Sequence, residues 1–85
     1  MAQGIRVRFF AQAREAVGHR ELLRPVPVAR STLGELLRAL GAEYPRLPRV
    51  LAQCRVAING TYVDDRATEL TNGDEIAIHP PFSGG

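Results

Sequence analysis

The sequence has no lysine, no tryptophan and a single cysteine among its 85 residues. Without lysine, the chain cannot form a Schiff base with a carbonyl substrate. One cysteine excludes an internal disulfide, and Cys54 is interpreted as a small buried hydrophobic residue. Since His19 and His79 are far apart in the sequence and one cysteine adds little to them, no metal site is predicted.

Long apolar segments are also missing. No run approaches the roughly 20 residues that span a bilayer, and the N-terminal stretch MAQGIRVRFF lacks the apolar region and cleavage site of a signal peptide. We therefore expect a soluble cytoplasmic protein without a membrane partner. All 11 basic residues are arginines. They are spread evenly, whereas nucleic-acid-binding proteins cluster them, so most are interpreted as solvated surface and no nucleic-acid partner is expected.

Catalytic motifs are absent as well. The sequence contains no G-x-S-x-G, no P-loop and no G-x-G-x-x-G. Two carboxylate pairs exist, Asp64 with Asp65 and Asp74 with Glu75, but each lies beside a predicted turn and is interpreted as turn capping and a solvated edge. We expect that the chain is not an enzyme on its own.

Strands are predicted near both ends of the chain. Residues 5–9 alternate between apolar and basic side chains, which indicates a half-buried strand. Residues 75–79 alternate in the same way, with Ile76 and Ile78 facing the core and His79 facing outward. If the alternation of the first strand continues by one residue, Phe10 points to the same face as Arg6 and Arg8. Phe10 is therefore either a kink back into the core or an exposed anchor for a partner, and the alternation leaves both open.

One main helix is predicted at about 32–43. Thr32 and Glu35 have the spacing of a capping box, and leucines at helical intervals then line one face. We expect Gly41 or Pro45 to end this helix. The leucines are interpreted as core residues, and they are Leu33, Leu36, Leu37 and Leu40.

Three other segments have weaker patterns. Residues 11–18 are predicted to hold one helical turn, and residues 45–54 a short helix or a turn. Residues 20–28 are predicted to be an edge strand or an irregular one, because their two prolines cannot donate to a ladder.

A hairpin is predicted in the second half of the chain. Residues 55–59 read as a strand with Val56 and Ile58 inward, and Asn59-Gly60 is the strongest short hairpin signal in the sequence. The complete order is then typical of an α+β domain with a helix on one face of a small mixed sheet. We predict a ubiquitin-like β-grasp with four to five strands, in which the first and last strands lie adjacent and central.

The chain ends in PPFSGG, where no apolar periodicity continues. We therefore predict a β-grasp domain over residues 1–79 and a protruding tail over residues 80–85. Fully extended, six residues reach roughly 20 Å. Pro80 and Pro81 would stiffen the base of the tail, and the glycines would let other backbones approach its tip, because glycine has no Cβ. This shape suits a tail that inserts a terminal carboxylate into another protein's active site.

Three segments resemble the small subunit of molybdopterin synthase. RVRFFAQAREAVG at residues 6–18 is similar to that family's opening strand and F-F-A-x-x-R-E segment, and VAINGTYV at residues 56–63 is similar to its hairpin. LTNGDEIAIHPPFSGG at residues 70–85 resembles its L-x-x-G-D-E-[VI] strand and P-P-x-[ST]-G-G terminus. Residues 20–54 match in pattern more than in identity.

The resemblance implies a sulfur carrier in molybdenum cofactor biosynthesis. In that family, a ubiquitin-activating-like adenylyltransferase uses ATP to activate the terminal carboxylate, here that of Gly85, and a sulfur-donor protein helps convert it to a thiocarboxylate. The tail then enters the large synthase subunit and gives its sulfur to a pterin precursor, which builds the dithiolene of molybdopterin. The resemblance implies a non-catalytic subunit with no permanently bound cofactor. The inserted residues would be Pro80, Pro81, Phe82, Ser83 and Gly84.

The same resemblance implies an interface on the sheet. That family presents exposed hydrophobic residues to its partners, and by position these are Phe10, Tyr62 and His79. This favours the anchor interpretation of Phe10. His79 departs from the family, which often has an aromatic residue such as Phe there. Because histidine changes its charge near neutral pH, this contact would gain pH sensitivity.

Other functions stay open. The chain could carry sulfur for thiazole, for tRNA thiolation or for a tungsten cofactor, although thiazole-type carriers lack the start found here at residues 9–15. It could be a ubiquitin-like modifier joined through Gly85 to lysines of other proteins. A binding module with an unreactive tail, for example one that binds RNA through arginines, is disfavoured by the dispersed charge.

Overall fold

Seven strands and three helices make up the computed structural model, which describes residues 4–25 and 31–81. They follow one another as β1 Ile5–Phe9, α1 Ala11–Val17, β2 Glu21–Arg24, β3 Ser31–Thr32, α2 Leu33–Glu43, α3 Leu47–Leu51, β4 Arg55–Ile58, β5 Thr61–Tyr62, β6 Glu69–Leu70 and β7 Glu75–His79. Within these ranges, no helix is both long enough and apolar enough to cross a membrane.

The main sheet has five strands in the order β2-β1-β7-β4-β5. The pairing of β1 with β7 is parallel, and the other pairings are antiparallel. The predicted adjacency of the first and last strands is therefore confirmed, with β7 in the middle and β1 beside it. The predicted edge position of β2 is confirmed too, although β2 covers only residues 21–24 and residues 26–30 lie outside the described ranges.

A second, two-stranded sheet pairs β3 with β6. The sequence did not predict this sheet, because each of its strands has only two residues and no period can be read from two residues. It places Leu70 at 4 % exposure in the core. The mixed sheet and its helices confirm the predicted α+β class.

The core lies between one face of the main sheet, here called the inner face, and the three helices. The alternation of β1 and β7 turns their apolar residues to this face, where the helices cover them. Burying one such side chain stabilises the fold by roughly 1.5–3 kcal/mol. The predicted leucine stripe belongs to this core, which contains Ile5, Val7, Phe9, Ala13, Val17, Leu33, Leu36, Leu37, Leu40, Leu47, Leu51, Val56, Leu70, Ile76 and Ile78.

Helix α2 begins at the predicted capping box. The Glu35 backbone N–H donates to Thr32 Oγ1 at 3.2 Å, and the Thr32 backbone N–H donates to Glu35 Oε1 at 2.9 Å. Two donors that the first turn of a helix leaves without partners are thereby satisfied.

The end of α2 decides between the two predicted stops. The helix continues through Gly41, ends at Glu43 and is followed by Pro45, which confirms the second alternative. A Cβ at Gly41 would lie 3.0 Å from Pro48 Cγ. Glycine at this position therefore allows α3 to pack closely on α2, at a cost in helix propensity of up to about 1 kcal/mol.

The two segments with weak helical patterns, residues 11–18 and 45–54, each contain a short helix. Helix α1 exceeds the predicted single turn and ends at Gly18, whose φ of 84° is in the left-handed region and whose N–H donates to Arg14 O at 2.7 Å. Such a glycine is a common helix terminus. In the ambiguous stretch 45–54, residues Leu47–Leu51 form the helix α3.

The predicted hairpin turn is joined to the turn before β7 by side chains. Asn59 adopts a φ of 50°, and its Nδ2 donates to Asp74 Oδ1 at 2.9 Å. Asp74 Oδ2 accepts from the Thr71 backbone N–H at 2.9 Å, and Asn59 Oδ1 accepts from the Glu75 backbone N–H at 2.9 Å. This network fixes the start of the central strand.

The carboxylate pairs behave partly as predicted. Asp74 caps its turn, and Asp65 Oδ1 accepts from the Ala67 backbone N–H at 2.9 Å. Glu75 is different, because its carboxylate pairs with Arg8 on the neighbouring strand at 3.2 Å. Glu75 therefore belongs to the solvated edge of the prediction rather than to turn capping.

The turn network gives a stability prediction. Asp74→Ala removes the acceptor of Thr71 N–H and of Asn59 Nδ2, so the free energy of unfolding should fall by about 1–3 kcal/mol. Asp64→Ala is the matched control, since Asp64 is exposed and its loss should change stability by less than about 0.5 kcal/mol. Urea denaturation of both variants measures the difference. Equal stabilities of the two variants would show that the network does not hold the turn.

Candidate functional site

The three residues assigned to an interface come together in the structure. The rings of Phe10 and His79 are stacked, with centroids 4.6 Å apart and planes at 8°. The ring of Tyr62 meets His79 edge-on, with centroids 6.1 Å apart and planes at 76°. These residues, which come from three separate segments of the chain, are called the aromatic patch below.

Strand register places the patch on the outer face of the main sheet, opposite the helices. His79 is the last residue of β7, and its outward direction follows from the inward Ile76 and Ile78, as predicted. Tyr62 is paired with Ala57 on the neighbouring strand. Phe10 lies just beyond β1, and its backbone N–H donates to Ile78 O at 3.2 Å, which continues the parallel pairing and brings Phe10 beside His79.

The open question about Phe10 is thereby answered. Phe10 is half-buried, keeps an extended backbone with φ of −124° and ψ of 149°, and does not turn into the core. The next residue, Ala11, has a φ of 51°. A non-glycine residue in this region costs of order 1–3 kcal/mol. At Ala11 the chain turns from the sheet into α1 while Phe10 retains its outward direction.

Two arginines flank the aromatic patch. The Arg8 guanidinium lies 5.5 Å from the Phe10 ring centroid, and the Arg55 guanidinium lies 3.8 Å from the Tyr62 ring centroid. Both distances are within the range of cation–π attraction. The sequence did not single out these two arginines. Their alternation with apolar residues indicated only an outward direction, and the pairing of the strands decides which rings they meet.

The tail leaves the sheet next to the patch. Pro80 follows His79 directly and is half-buried, and Pro81 is exposed. The other tail residues named in the sequence analysis, Phe82, Ser83, Gly84 and Gly85, lie outside the described residues. Their roles, and the division between domain and tail, stay predictions.

The described residues also bear on the predictions for Cys54 and for a metal site. Cys54 is half-buried and packs against the core rather than lying within it. Burial raises the pKa of its thiol, which lowers the thiolate fraction and hence the reactivity. Residues 4–25 and 31–81 contain no group of three His, Cys, Asp or Glu side chains that could hold a metal ion.

Comparison with known proteins supports the resemblance found in the sequence. Residues 7–85 match the model of the ThiS family. The chain belongs to the ThiS family. It is 39% identical over 82 residues to the molybdopterin synthase sulfur carrier subunit of Chlamydomonas reinhardtii, with 95% of this chain and 98% of that protein covered. It is 35% identical over 91 residues to the small archaeal modifier protein 3 of Haloferax volcanii, with 95% and 98% covered.

Solved structures of similar proteins confirm the ubiquitin-like β-grasp. SAMP1 from Haloferax volcanii superimposes with a TM-score of 0.79 at 30% identity, and 96% of this chain and 99% of that chain are covered. A protein in the complex of subunits 1 and 2 of the molybdopterin-converting factor from Helicobacter pylori superimposes with a TM-score of 0.68 at 31% identity, with 95% and 97% covered. Members of this family therefore include sulfur carrier subunits.

Two adjacent phenylalanines test the two faces of the sheet. Phe9 is 2 % exposed in the core, so Phe9→Ala should lower the free energy of unfolding by about 3–5 kcal/mol. Phe10 is only half-buried and contacts His79 on the outer face, so Phe10→Ala should lower it by about 1 kcal/mol. Denaturant unfolding of both variants measures the contrast. A loss for Phe10→Ala as large as that for Phe9→Ala would place Phe10 in the core.

Proposed function

We propose that this chain is the sulfur-carrying small subunit of a molybdopterin synthase. The observation that carries the proposal is the aromatic patch at the point where the Gly-Gly tail leaves the sheet. The proposed reaction follows from the similarity to molybdopterin synthase sulfur carrier subunits. In this proposal the patch binds the large subunit and the tail brings the reacting carboxylate of Gly85 to it.

The patch is suited to docking a protein. Tyr62 is 43% exposed, and Phe10 and His79 present half-buried rings on the outer face of the sheet. Aromatic side chains are enriched among the residues that dominate binding energy in protein interfaces. The structure of the Helicobacter pylori relative contains both subunits of its converting factor, which supports a large subunit as the partner of this chain.

Docking and tail insertion reinforce each other. Once the patch is bound, insertion of the tail becomes an intramolecular step whose effective concentration depends on the length and stiffness of the connecting chain. The reach of a six-residue tail is at most roughly 20 Å. Pro80 and Pro81 limit the conformations of its base, so less conformational freedom is lost on insertion. The aromatic patch therefore sets where the tip of the tail can arrive.

The chemistry takes place at Gly85. A carboxylate oxygen attacks the α-phosphorus of ATP on a separate adenylyltransferase, and pyrophosphate leaves. A donor protein then delivers sulfur at the oxidation level of sulfide to the carbonyl carbon, and AMP leaves with its electron pair, which gives the thiocarboxylate. In the large subunit the sulfur attacks a carbon of the pterin precursor and an oxygen substituent leaves that carbon. Water then adds to the acyl carbon and the acyl C–S bond breaks, which leaves the sulfur on the pterin and returns Gly85 to a carboxylate.

The catalytic groups belong to the partner proteins in this proposal. The chain holds no permanently bound cofactor, and ATP is a substrate of the activating enzyme. The whole cycle would take place in the cytoplasm. Gly84 and Gly85 supply a thin tip, because the absence of a Cβ lets the groups of each partner surround the carboxyl carbon.

Intact mass spectrometry tests the reaction at the tail. In protein purified from its native host, we expect a fraction whose mass corresponds to replacement of one oxygen by sulfur at Gly85. Deletion of Gly85 should abolish this species and the molybdoenzyme activity of the host. Activity retained after the deletion, with a tail that is never modified, would contradict the proposed function.

Binding measurements test the docking surface. Phe10→Ala should weaken binding to the large subunit by at least roughly tenfold, as expected for truncation of a central aromatic contact, while the variant remains folded. The control is Leu23→Ala, which removes an exposed apolar side chain from the edge strand β2 outside the patch. Isothermal titration calorimetry measures both affinities. An unchanged affinity for Phe10→Ala, or an equal loss for both variants, would argue against docking through the patch.

A second candidate is protein modification, because the chain is also similar to a small archaeal modifier protein. The modifier would be joined through Gly85 to lysines of other proteins. Since the sequence has no lysine, no further copy could be attached to a lysine of this chain. Modified targets would therefore carry single copies at each lysine, and an isopeptide remnant at Gly85 in a digest would support this candidate.

A further inference from the structure

The two arginines beside the aromatic patch differ in their counter-charges. Arg8 Nη1 lies 3.2 Å from Glu75 Oε2, and its Nε lies 3.9 Å from Glu21 Oε1. Arg55 has no carboxylate within ion-pair distance among the residues that the structure describes. Charge is therefore balanced on the Phe10 side of the patch and uncompensated on the Tyr62 side.

The pairing of β4 with β7 holds Arg55 beside the aromatic patch. Its Cα is paired with that of His79 across the β4–β7 ladder, and its guanidinium lies 3.8 Å from the Tyr62 ring centroid. A guanidinium that lies over an aromatic face keeps donor groups around its edge, where they can meet a carboxylate with two parallel hydrogen bonds. The aromatic contact thus limits the conformational entropy that Arg55 would lose on pairing.

We propose that Arg55 receives a carboxylate of the protein that docks on the aromatic patch. The docking surface of that partner would have an apolar area that covers Phe10, Tyr62 and His79, with an Asp or Glu side chain at the edge that faces Arg55. This inference rests on the proposed function, since it adds a charged determinant to the same interface. Arg55 binds the partner and takes no part in the chemistry at Gly85.

The surrounding charges favour an acidic protein over a nucleic acid. A nucleic-acid backbone needs several free cations to neutralise its phosphates, and on the Phe10 side of the patch Arg8 is already paired with Glu21 and Glu75. A single carboxylate opposite Arg55 avoids both glutamates, because Arg55 pairs with His79 at the far end of β7 from Glu75 and lies on the other side of the patch from Glu21. The pairing would select partners by charge and accelerate association at low salt.

The test measures binding of the large synthase subunit to the full chain at low and at physiological salt. Arg55→Glu should weaken binding by roughly tenfold or more, because it places two like charges together, and it should reduce the dependence of the affinity on salt. Arg55→Lys should lose less than Arg55→Glu, because the charge is retained without the planar fork. Arg38→Glu is the control: it makes the same charge change on the exposed side of α2 and should bind like the parent chain.

The outcomes separate this inference from the proposed function. If Phe10→Ala weakens binding while Arg55→Glu binds with the parent affinity and salt dependence, docking through the patch stands and the role of Arg55 is overturned. Equal losses for Arg55→Glu and Arg38→Glu would also overturn it, since net charge alone would then explain the effect. If neither Phe10→Ala nor Arg55→Glu alters binding, the proposed docking surface fails as well. Circular dichroism should show that each variant is folded.

Discussion

The parallel pairing of β1 with β7 is the constraint on which both faces of the sheet depend. Its register aligns Val7 with Ile76 and Phe9 with Ile78 on the inner face. Continued by one residue, the same register brings Phe10 beside His79 on the outer face. Because side chains alternate along a strand, a slip of one residue would expose the core residues and bury the patch. One set of backbone hydrogen bonds therefore specifies both the core and the aromatic patch.

The region around this pairing supports it from both ends. At the start of β7, Asp74 and Asn59 link two turns, and the Arg6 backbone N–H donates to Asp74 O at 3.0 Å. At the end of β7, the chain continues from His79 into Pro80 and the tail. The strand that forms the centre of the sheet thus also carries His79, the outward ring of the patch. Ala11, with its left-handed φ of 51°, adds the turn that lets α1 cover the core without moving Phe10.

Much of the fold could be predicted from the sequence, because the signals are local. Strict alternation marked β1 and β7, the capping box marked the start of α2, and Asn59-Gly60 marked the hairpin. The β3–β6 sheet could not be predicted, since its strands are too short to show a period, and the close packing at Gly41 could not be predicted because it depends on Pro48 of another helix. These features arise from contacts between distant segments.

The candidate site was predictable only in part for the same reason. Resemblance to a family supplied Phe10, Tyr62 and His79 by position, and alternation supplied the outward direction of His79. Neither indicated that the three rings would touch, nor that Arg55 would lie over Tyr62 while Arg8 is neutralised by Glu75. Charge balance at a surface depends on which strands are neighbours, and a list of evenly spaced arginines does not contain that information.

In the proposed function, a tail placed by the patch delivers sulfur in the large subunit. The most direct measurement is a single-turnover reaction of the thiocarboxylated chain with the large subunit and the pterin precursor, followed by intact mass spectrometry and by detection of the dithiolene product. We expect Gly85 to return to a carboxylate in step with product formation. A C-terminus that keeps its sulfur in the presence of an active large subunit would contradict this expectation.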